Sequence, residues 1–191
     1  MKKSLLMAAL VSGLAVLPGY AALEQGASAP VFTAQASLDG QEFTYSLQTS
    51  LNNGPTVVYF YPSAYTRGCN IQAKTFADNM QLFRDAGASV VGVSLDSIER
   101  LNDFSADPEY CAGELPVVSD ADGSIARSYD LNIDAGPPGL TDTRGIEIGH
   151  GFTERTTFVV NTDGSMAAVV GGVSPEENVM QSLQVIQSLS M

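Results

Sequence analysis

The sequence is poor in basic residues, in histidine and in cysteine. Only nine lysine and arginine residues stand against 21 acidic ones among 191 residues, and the formal net charge is −12. Nucleic acids and anionic membranes are bound through basic patches, so neither is expected as a partner. The single histidine, His150, with only two cysteines is a poor basis for a metal site. The apolar share of 45% excludes a disordered chain, and the length is typical of one domain.

The first 21 residues have the pattern of an export signal. Lys2 and Lys3 precede a short apolar run over residues 5–17, and small residues follow it. A membrane-spanning helix needs about 20 apolar residues, so the run indicates a cleaved signal peptide rather than an anchor. The sequence therefore predicts a signal peptide at residues 1–21 and one mature domain at residues 22–191. We expect an exported protein, periplasmic or secreted, without stable membrane insertion after processing.

The mature part alternates between strand-like and helix-like patterns. In chain order these are a hairpin around residues 39–40, a strand at 56–61, a helix at 67–86, a strand at 89–95, a helix capped by residue 96 or 97, a strand at 115–118, a short helix at 124–129, a hairpin at 156–170 and a helix opening with a capping box at 174–177. This order predicts an α/β fold with a mixed sheet. Residues 132–153 are rich in glycine and lack periodicity, which predicts a long surface loop or insertion.

Cys69 lies at the start of a predicted helix, shortly after a buried strand. Unpaired backbone N–H groups and the positive end of the helix dipole stabilise a thiolate at such a position. A thiolate is a nucleophile at neutral pH. Thr66, in the same turn, has a hydroxyl that can donate to a bound oxygen, and Pro62 shapes the loop rigidly. The sequence therefore predicts a reactive cysteine in a tight pocket.

The residues around Cys69 resemble a known active-site segment. Pro62, Thr66 and Cys69 form the pattern Pro-x-x-x-Thr-x-x-Cys, and Gly68 completes Thr-x-Gly-Cys. This segment resembles that of the peroxiredoxins, and is most similar to the bacterioferritin-comigratory, or peroxiredoxin Q, branch. Further segments stand in the order of the family at residues 91–97, 119–123 and 155–160. The resemblance covers about residues 30–190.

The resemblance implies a thioredoxin-like fold, a central mixed sheet flanked by helices, and a peroxidase without metal or organic cofactor. Cys69 matches the peroxidatic cysteine, which reduces hydrogen peroxide and organic hydroperoxides by becoming a sulfenic acid. Thr66 matches the residue that hydrogen-bonds the peroxide, and Arg155 the arginine that stabilises the thiolate and the charge on the breaking bond. Pro62 matches the residue that shields the thiolate. We expect Gln72 to support Arg155.

The sequence says less about how the sulfenic acid would be resolved than about how it would form. Many relatives in the resembled branch have a second cysteine five residues after the first, where this sequence has Lys74. Cys111 is the only candidate, and it lies beyond Pro108, which we expect to end the preceding helix. A one-cysteine mechanism and an inert, buried Cys111 are the alternatives. The resemblance implies a thioredoxin-like or other thiol reductant, and the protein is expected to be a monomer or a homodimer.

Two other functions stay open. A thioredoxin-like thiol–disulfide oxidoreductase usually has Cys-x-x-Cys, but the fourth position here is Gln72. A non-catalytic exported protein would use Cys69 and Cys111 as a structural disulfide, because export favours disulfide formation. A thiol titration followed by a peroxide assay separates these functions from a peroxidase.

Overall fold

Nine strands and five helices follow one another in the computed structural model, which describes residues 22–190. The strands are β1 Thr33–Leu38, β2 Gln41–Ser46, β3 Thr56–Phe60, β4 Ser89–Ser94, β5 Val117–Ser119, β6 Ile133–Asp134, β7 Phe152–Thr153, β8 Thr156–Val160 and β9 Met166–Gly171. The helices are α1 Leu47–Leu51, α2 Arg67–Asp85, α3 Ile98–Ala106, α4 Ser124–Ser128 and α5 Pro175–Leu189. The predicted signal peptide lies outside the described residues. Over that part of the chain, no helix is both long and apolar enough to cross a membrane.

Seven of the strands form one mixed sheet in the order β2-β1-β5-β4-β3-β8-β9. Strands β3, β4 and β5 run parallel, and the other neighbours are antiparallel. All five residues of β3 are buried, which agrees with the continuous apolar run in the sequence. The chain leaves β3 at its C-terminal end and enters α2, whose first turn contains the predicted reactive cysteine. The predicted α/β fold with a mixed sheet is confirmed.

The sheet separates two apolar cores. Val57 and Tyr59 of β3 face a core built with helices α2, α3 and α5, while Val58 and Phe60 face a second core that contains residues of α1 and α4. Successive side chains of a strand point to opposite faces, so one short strand contributes to both cores. The end of β3 is fixed from both sides, and the loop that follows it starts from a rigid support.

Most predicted elements are present, with small differences at the turns. Asp39 and Gly40 both have positive φ, 51° and 73°, as a two-residue hairpin turn requires. Ser174 caps α5 by accepting a hydrogen bond from the Glu177 N–H. The Glu177 carboxylate accepts from Gln181 instead of closing the capping box. The short helix α1 was not predicted.

The prediction of a surface loop at residues 132–153 is only partly right. Strands β6 and β7 pair with each other, and Thr141 and Glu147 form an isolated bridge. Asp142 and Ile148 are buried within this segment. A loop without hydrophobic periodicity can still be ordered when buried polar groups anchor it. In this protein the 132–153 segment is hydrogen-bonded to the loop that precedes α2.

Candidate active site

Cys69 is the third residue of α2, and its side chain is only 2% exposed. The N-cap residue Thr66 makes no side-chain hydrogen bond to the first turn of the helix. The N–H groups of the first turn also lack partners within the helix, so they can interact with a negative charge. Arg67, beside them, is exposed to solvent.

Arg155 is the cation that reaches Cys69. It lies between β7 and β8, and its Nη2 is 3.3 Å from the Cys69 Sγ. Its Nη1 donates to Oε1 of Gln72, the contact expected from the sequence. Gln72 is fully buried and donates to Oδ1 of Asn178 at 2.9 Å, and Asn178 donates to the Val170 carbonyl at 3.0 Å. A continuous hydrogen-bond chain thus links the guanidinium to the backbone of β9.

Two features of this arrangement were not predicted from the sequence, the role of Gly68 and the residue Asn178. A Cβ at Gly68 would lie 3.0 Å from the Arg155 Nη2, so the absence of a side chain leaves room for the guanidinium over the helix start. Gly68 and Arg155 were both singled out in the sequence, but their close approach across 87 positions was not predicted. Asn178 was detectable as a polar residue beside Val179, on the apolar face of the last helix.

Thr66 and Pro62 lie in the loop between β3 and α2. The Thr66 hydroxyl donates to the Ser63 carbonyl at 2.8 Å. Its oxygen is therefore left as an acceptor, whereas the sequence had suggested a donor to the bound oxygen. The Thr66 oxygen can therefore accept a hydrogen bond from another donor. Pro62 is half-buried, just beyond the end of β3.

Cys111 lies in a different environment. It follows α3 in a turn in which Ala112 and Gly113 have positive φ, and its side chain is fully buried. Burial raises the pKa of its thiol, and the negative charge of Asp107 raises it further. Within residues 22–190 both Cys69 and Cys111 are free thiols. The structure therefore places Cys111 in the same apolar core as Cys69, but as a protonated thiol.

Aromatic rings occupy the region around the two cysteines. Tyr65, Phe104 and Tyr110 pack together, with ring centroids 5.0 to 5.7 Å apart. The buried Tyr59 hydroxyl has no hydrogen-bond partner in the described part of the chain. Its pKa is raised well above the usual value, first by burial and then by the negative charges that Cys111 and Cys69 can carry. Tyr59, Cys69 and Cys111 belong to the same apolar core.

The single histidine is not part of a metal cluster. Over residues 22–190, no three His, Cys, Asp or Glu side chains are grouped so that they could hold a metal ion. The His150 Nε2 lies 2.8 Å from Oδ1 of the buried Asp96. From the sequence, Asp96 was expected only as one of two candidate caps of α3. The cap is the other candidate, Ser97. The carboxylate of Asp96 is thus free to bind other groups near the site.

A cysteine at a helix start, above the end of a buried parallel strand and beneath an arginine, defines a cysteine-dependent redox enzyme on a thioredoxin-like sheet. Comparisons with known proteins make the assignment specific. Residues 25–169 match the sequence model of the AhpC/TSA family, and the chain belongs to that family.

Relatives and solved structures agree with this assignment. The chain is 32% identical to the chloroplastic peroxiredoxin Q of Sedum lineare over 173 residues, which is 89% of this chain and 81% of the relative. Peroxidoxin BcpB from Mycobacterium tuberculosis aligns with a TM-score of 0.72 at 26% identity, covering 87% of this chain and 98% of that one. Peroxiredoxin Q of Xanthomonas campestris aligns with a TM-score of 0.65 at 25% identity, over 82% and 91% of the two chains.

The predicted peroxiredoxin resemblance and the thioredoxin-like fold are confirmed. The protein is a thiol-dependent peroxidase, an oxidoreductase of the thioredoxin-dependent class. The thiol–disulfide oxidoreductase and the non-catalytic protein with a structural disulfide are not favoured.

Proposed function

We propose that Cys69 is the residue that reduces the peroxide. The observation that carries this assignment is the Arg155 Nη2 at 3.3 Å from the Cys69 Sγ, at the start of a helix. The thiolate attacks one peroxide oxygen, so that an S–O bond forms while the O–O bond breaks. Cys69 is oxidised to the sulfenic acid, and the leaving oxygen takes a proton and departs as water or an alcohol. Hydrogen peroxide and organic hydroperoxides share the bond that is broken.

The neighbouring residues divide the remaining tasks. Arg155 stabilises the thiolate and the negative charge that grows on the leaving oxygen. Thr66 accepts the O–H of the peroxide, since its own proton is directed to the Ser63 carbonyl. Pro62 limits the access of water to the sulfur. These roles need no metal and no organic cofactor.

Cys111 is the proposed resolving residue. Its thiol would attack the sulfenic sulfur of Cys69, forming a disulfide and releasing water. Burial holds Cys111 as a thiol, so the step requires the turn at residues 107–113 and the first turn of α2 to open. A thioredoxin-like dithiol, or another thiol reductant, then returns the disulfide to two thiols. The alternative is direct reduction of the Cys69 sulfenic acid, with Cys111 inert.

Peroxide turnover with a thioredoxin system as electron donor tests these assignments. Cys69→Ser is expected to abolish consumption of peroxide, and a variant that retains the wild-type rate would overturn the assignment. Cys111→Ser is expected to be oxidised once and then to stall, with a sulfenic or sulfinic product on Cys69. Wild type should lose two hydrogens and yield one linked peptide pair. Continued turnover of Cys111→Ser would favour the one-cysteine mechanism.

The cellular site and the assembly are further parts of the proposal. The basic and apolar pattern of residues 1–21 supports export to the periplasm or secretion. Expression in a bacterial host, followed by fractionation and N-terminal sequencing, should recover a chain that begins near Ala22. An intact N-terminus in the cytoplasm would contradict export. Light scattering of the mature chain should give the mass of a monomer or a homodimer.

A further inference from the structure

One carboxylate holds the loop that carries Pro62 and Thr66, here called the 62–66 loop. Asp96 lies just beyond the end of β4 and is fully buried. Its Oδ1 accepts from the Ser63 hydroxyl at 2.9 Å, and its Oδ2 accepts from the Ala64 N–H at 2.7 Å. Ser63 is also the residue whose carbonyl orients the Thr66 hydroxyl. The position of Thr66 is thus connected to Asp96 through one residue.

A further partner of this carboxylate is the only histidine of the chain. His150 Nε2 lies 2.8 Å from the Asp96 Oδ1, and His150 Nδ1 lies 2.7 Å from the Gly151 carbonyl. A carbonyl can only accept, and an ionised carboxylate can only accept. Both ring nitrogens must then donate, which describes an imidazolium. The Ser63 Oγ, 3.4 Å from the same Nε2, already directs its proton to Asp96.

Three further charged residues surround this pair. Arg100 of α3 forms an ion pair with the Asp96 Oδ1 at 2.8 Å, and it reaches Asp142 at 2.8 Å and the Ala64 carbonyl at 2.9 Å. Asp142 also pairs with Arg144 at 3.0 Å. The charged groups near His150 are thus Asp96 and Arg100, followed by Asp142 and Arg144. Together they connect β4, α3 and the 132–153 segment to the 62–66 loop.

The backbone of the 62–66 loop needs such support. Tyr65 has a φ of 60°, a region that a residue with a bulky side chain rarely adopts. The Tyr65 carbonyl accepts from the N–H of Thr143 at 2.9 Å and from its hydroxyl at 2.8 Å. The Arg144 guanidinium lies 3.3 Å from the centre of the Tyr65 ring. The segment predicted as a surface loop therefore fixes the strained residue directly before Thr66.

We propose that Asp96 and protonated His150 are positioning residues, which hold the 62–66 loop in the geometry that reduces peroxide. The inference rests on the proposed roles of Cys69 and Thr66. Neither Asp96 nor His150 touches the reacting atoms. They act through Ser63 and Ala64, and the charge on His150 pairs with the carboxylate of Asp96 beside that of Arg100. Loss of that charge loosens the loop and misplaces Thr66 relative to the sulfur.

The direction of the pH dependence follows from the same contacts. Burial lowers the pKa of His150, but the hydrogen bond and charge of Asp96 outweigh this and raise it above the usual 6.5. Burial alone would raise the pKa of Asp96, but the bonds from His150, Ala64 and Ser94 lower it. A group whose folded pKa is raised stabilises the fold below its unfolded pKa, and this contribution is lost as pH rises through the folded value. The positioning effect should weaken on the alkaline side of neutrality.

Nuclear magnetic resonance of the untagged mature protein tests the charge state directly. Because His150 is the only histidine, its ring nitrogen signals need no assignment. In the reduced protein at pH 7 we expect both nitrogens to be protonated, with a titration midpoint above that of a free histidine. A neutral ring under these conditions would overturn the proposal, whatever the variants below show.

Kinetics test whether the pair positions the loop. In a Cys111→Ser background, Cys69 is the only thiol, and its rates with hydrogen peroxide and with iodoacetamide can be compared. At about pH 6, His150→Gln should lower the peroxide rate about tenfold, because a misplaced group of this kind costs roughly that much or more. The alkylation rate should be unchanged or faster, since alkylation does not use Thr66. An equal fall in both rates would contradict a positioning role.

The pH dependence supplies the sharper readout. The wild-type to His150→Gln ratio of peroxide rates is measured at each pH and divided by the same ratio of alkylation rates, so that any difference in the amount of Cys69 thiolate cancels. The ratio should fall from about ten towards one between about pH 6 and about pH 9.5. A ratio that stays constant with pH would overturn the inference while leaving Cys69 as the peroxidatic residue.

Two further variants serve as controls. Asp96→Asn combined with His150→Gln should be no slower than the slower single variant, because both act through the same contact. Fully additive losses would contradict the pairing. Asp78→Asn removes an exposed aspartate that pairs with Lys74 at 2.9 Å, and it should leave both rates within about twofold. A failure of the proposed function would be separate, as retained peroxide consumption by Cys69→Ser.

Discussion

The two cysteines of this chain are both buried, yet their surroundings differ in almost every other respect. Cys69 lies at the N-terminal end of a long helix with a guanidinium 3.3 Å from its sulfur. Cys111 lies in a turn after a short helix, where burial and Asp107 both raise the pKa of its thiol. Burial alone therefore does not decide whether a cysteine is reactive. The difference lies in whether unpaired N–H groups and a cation compensate a thiolate.

The largest effect should be the difference between the two thiols themselves. In Cys111→Ser only Cys69 remains, and in Cys69→Ser only Cys111 remains. The second-order rate constant with hydrogen peroxide should differ between these single-thiol variants by at least about a thousandfold, because only one site stabilises the thiolate. Stopped-flow competition measures the faster rate, and mass spectrometry of the thiol peptide measures the slower one. Comparable rates would contradict the claim that the two cysteines differ in reactivity.

The cation should account for a large part of that difference. Arg155→Met keeps an unbranched, flexible side chain but removes the guanidinium and its charge next to the sulfur. The peroxide rate of Cys69 should fall about a hundredfold, a loss typical of one donor that stabilises developing charge. The matched control is Arg67→Met, which removes an exposed arginine from the helix turn that carries Cys69.

The control variant should stay within about twofold of wild type, because an exposed charge is screened by solvent. If both arginine variants lose activity to the same extent, the general field of the helix start matters more than the contact to the sulfur. The comparison of the two cysteines would then rest on the helix alone.

The reactive site was largely predictable, but its supports were not. Local spacing placed Pro62, Thr66 and Cys69 at a strand end and a helix start, because these features depend on neighbouring residues. Arg155 was found only through a family resemblance, since a lone arginine before a strand has no local signal. Asp96 and His150 were missed in their present roles. Their contact joins positions 54 residues apart, and no periodicity encodes it.

The chain that supports Arg155 should have a smaller effect than Arg155 itself. Gln72→Leu removes the acceptor of the guanidinium and leaves the buried Asn178 without one of its donors. The peroxide rate should fall about tenfold, since the guanidinium keeps its charge but loses its orientation. Gln81→Leu is the control, because Gln81 lies on the same helix but its amide pairs with the exposed Asp85.

The Gln81 variant should react at close to the wild-type rate and differ little in stability. An unchanged rate in Gln72→Leu would mean that Arg155 is held by the sulfur and the backbone alone. A denaturant titration of both variants separates a loss of orientation from a general loss of folded protein.

The smallest effect should come from the least conspicuous residue of the motif. Gly68→Ala adds a methyl group that would lie 3.0 Å from the Arg155 Nη2. The guanidinium is the end of a flexible side chain, so it should move by a few tenths of an ångström, and the peroxide rate should fall only about threefold. At the same time alanine removes the backbone freedom of a helical glycine, which should raise the free energy of unfolding by about 0.5 to 1 kcal/mol. A variant that is more stable but slower would show that Gly68 serves the approach of Arg155 to Cys69 at a cost to the helix. A variant that is more stable and equally fast would show that the guanidinium can move without loss of rate. Its exact distance from the sulfur would then not explain why Cys69 is more reactive than Cys111.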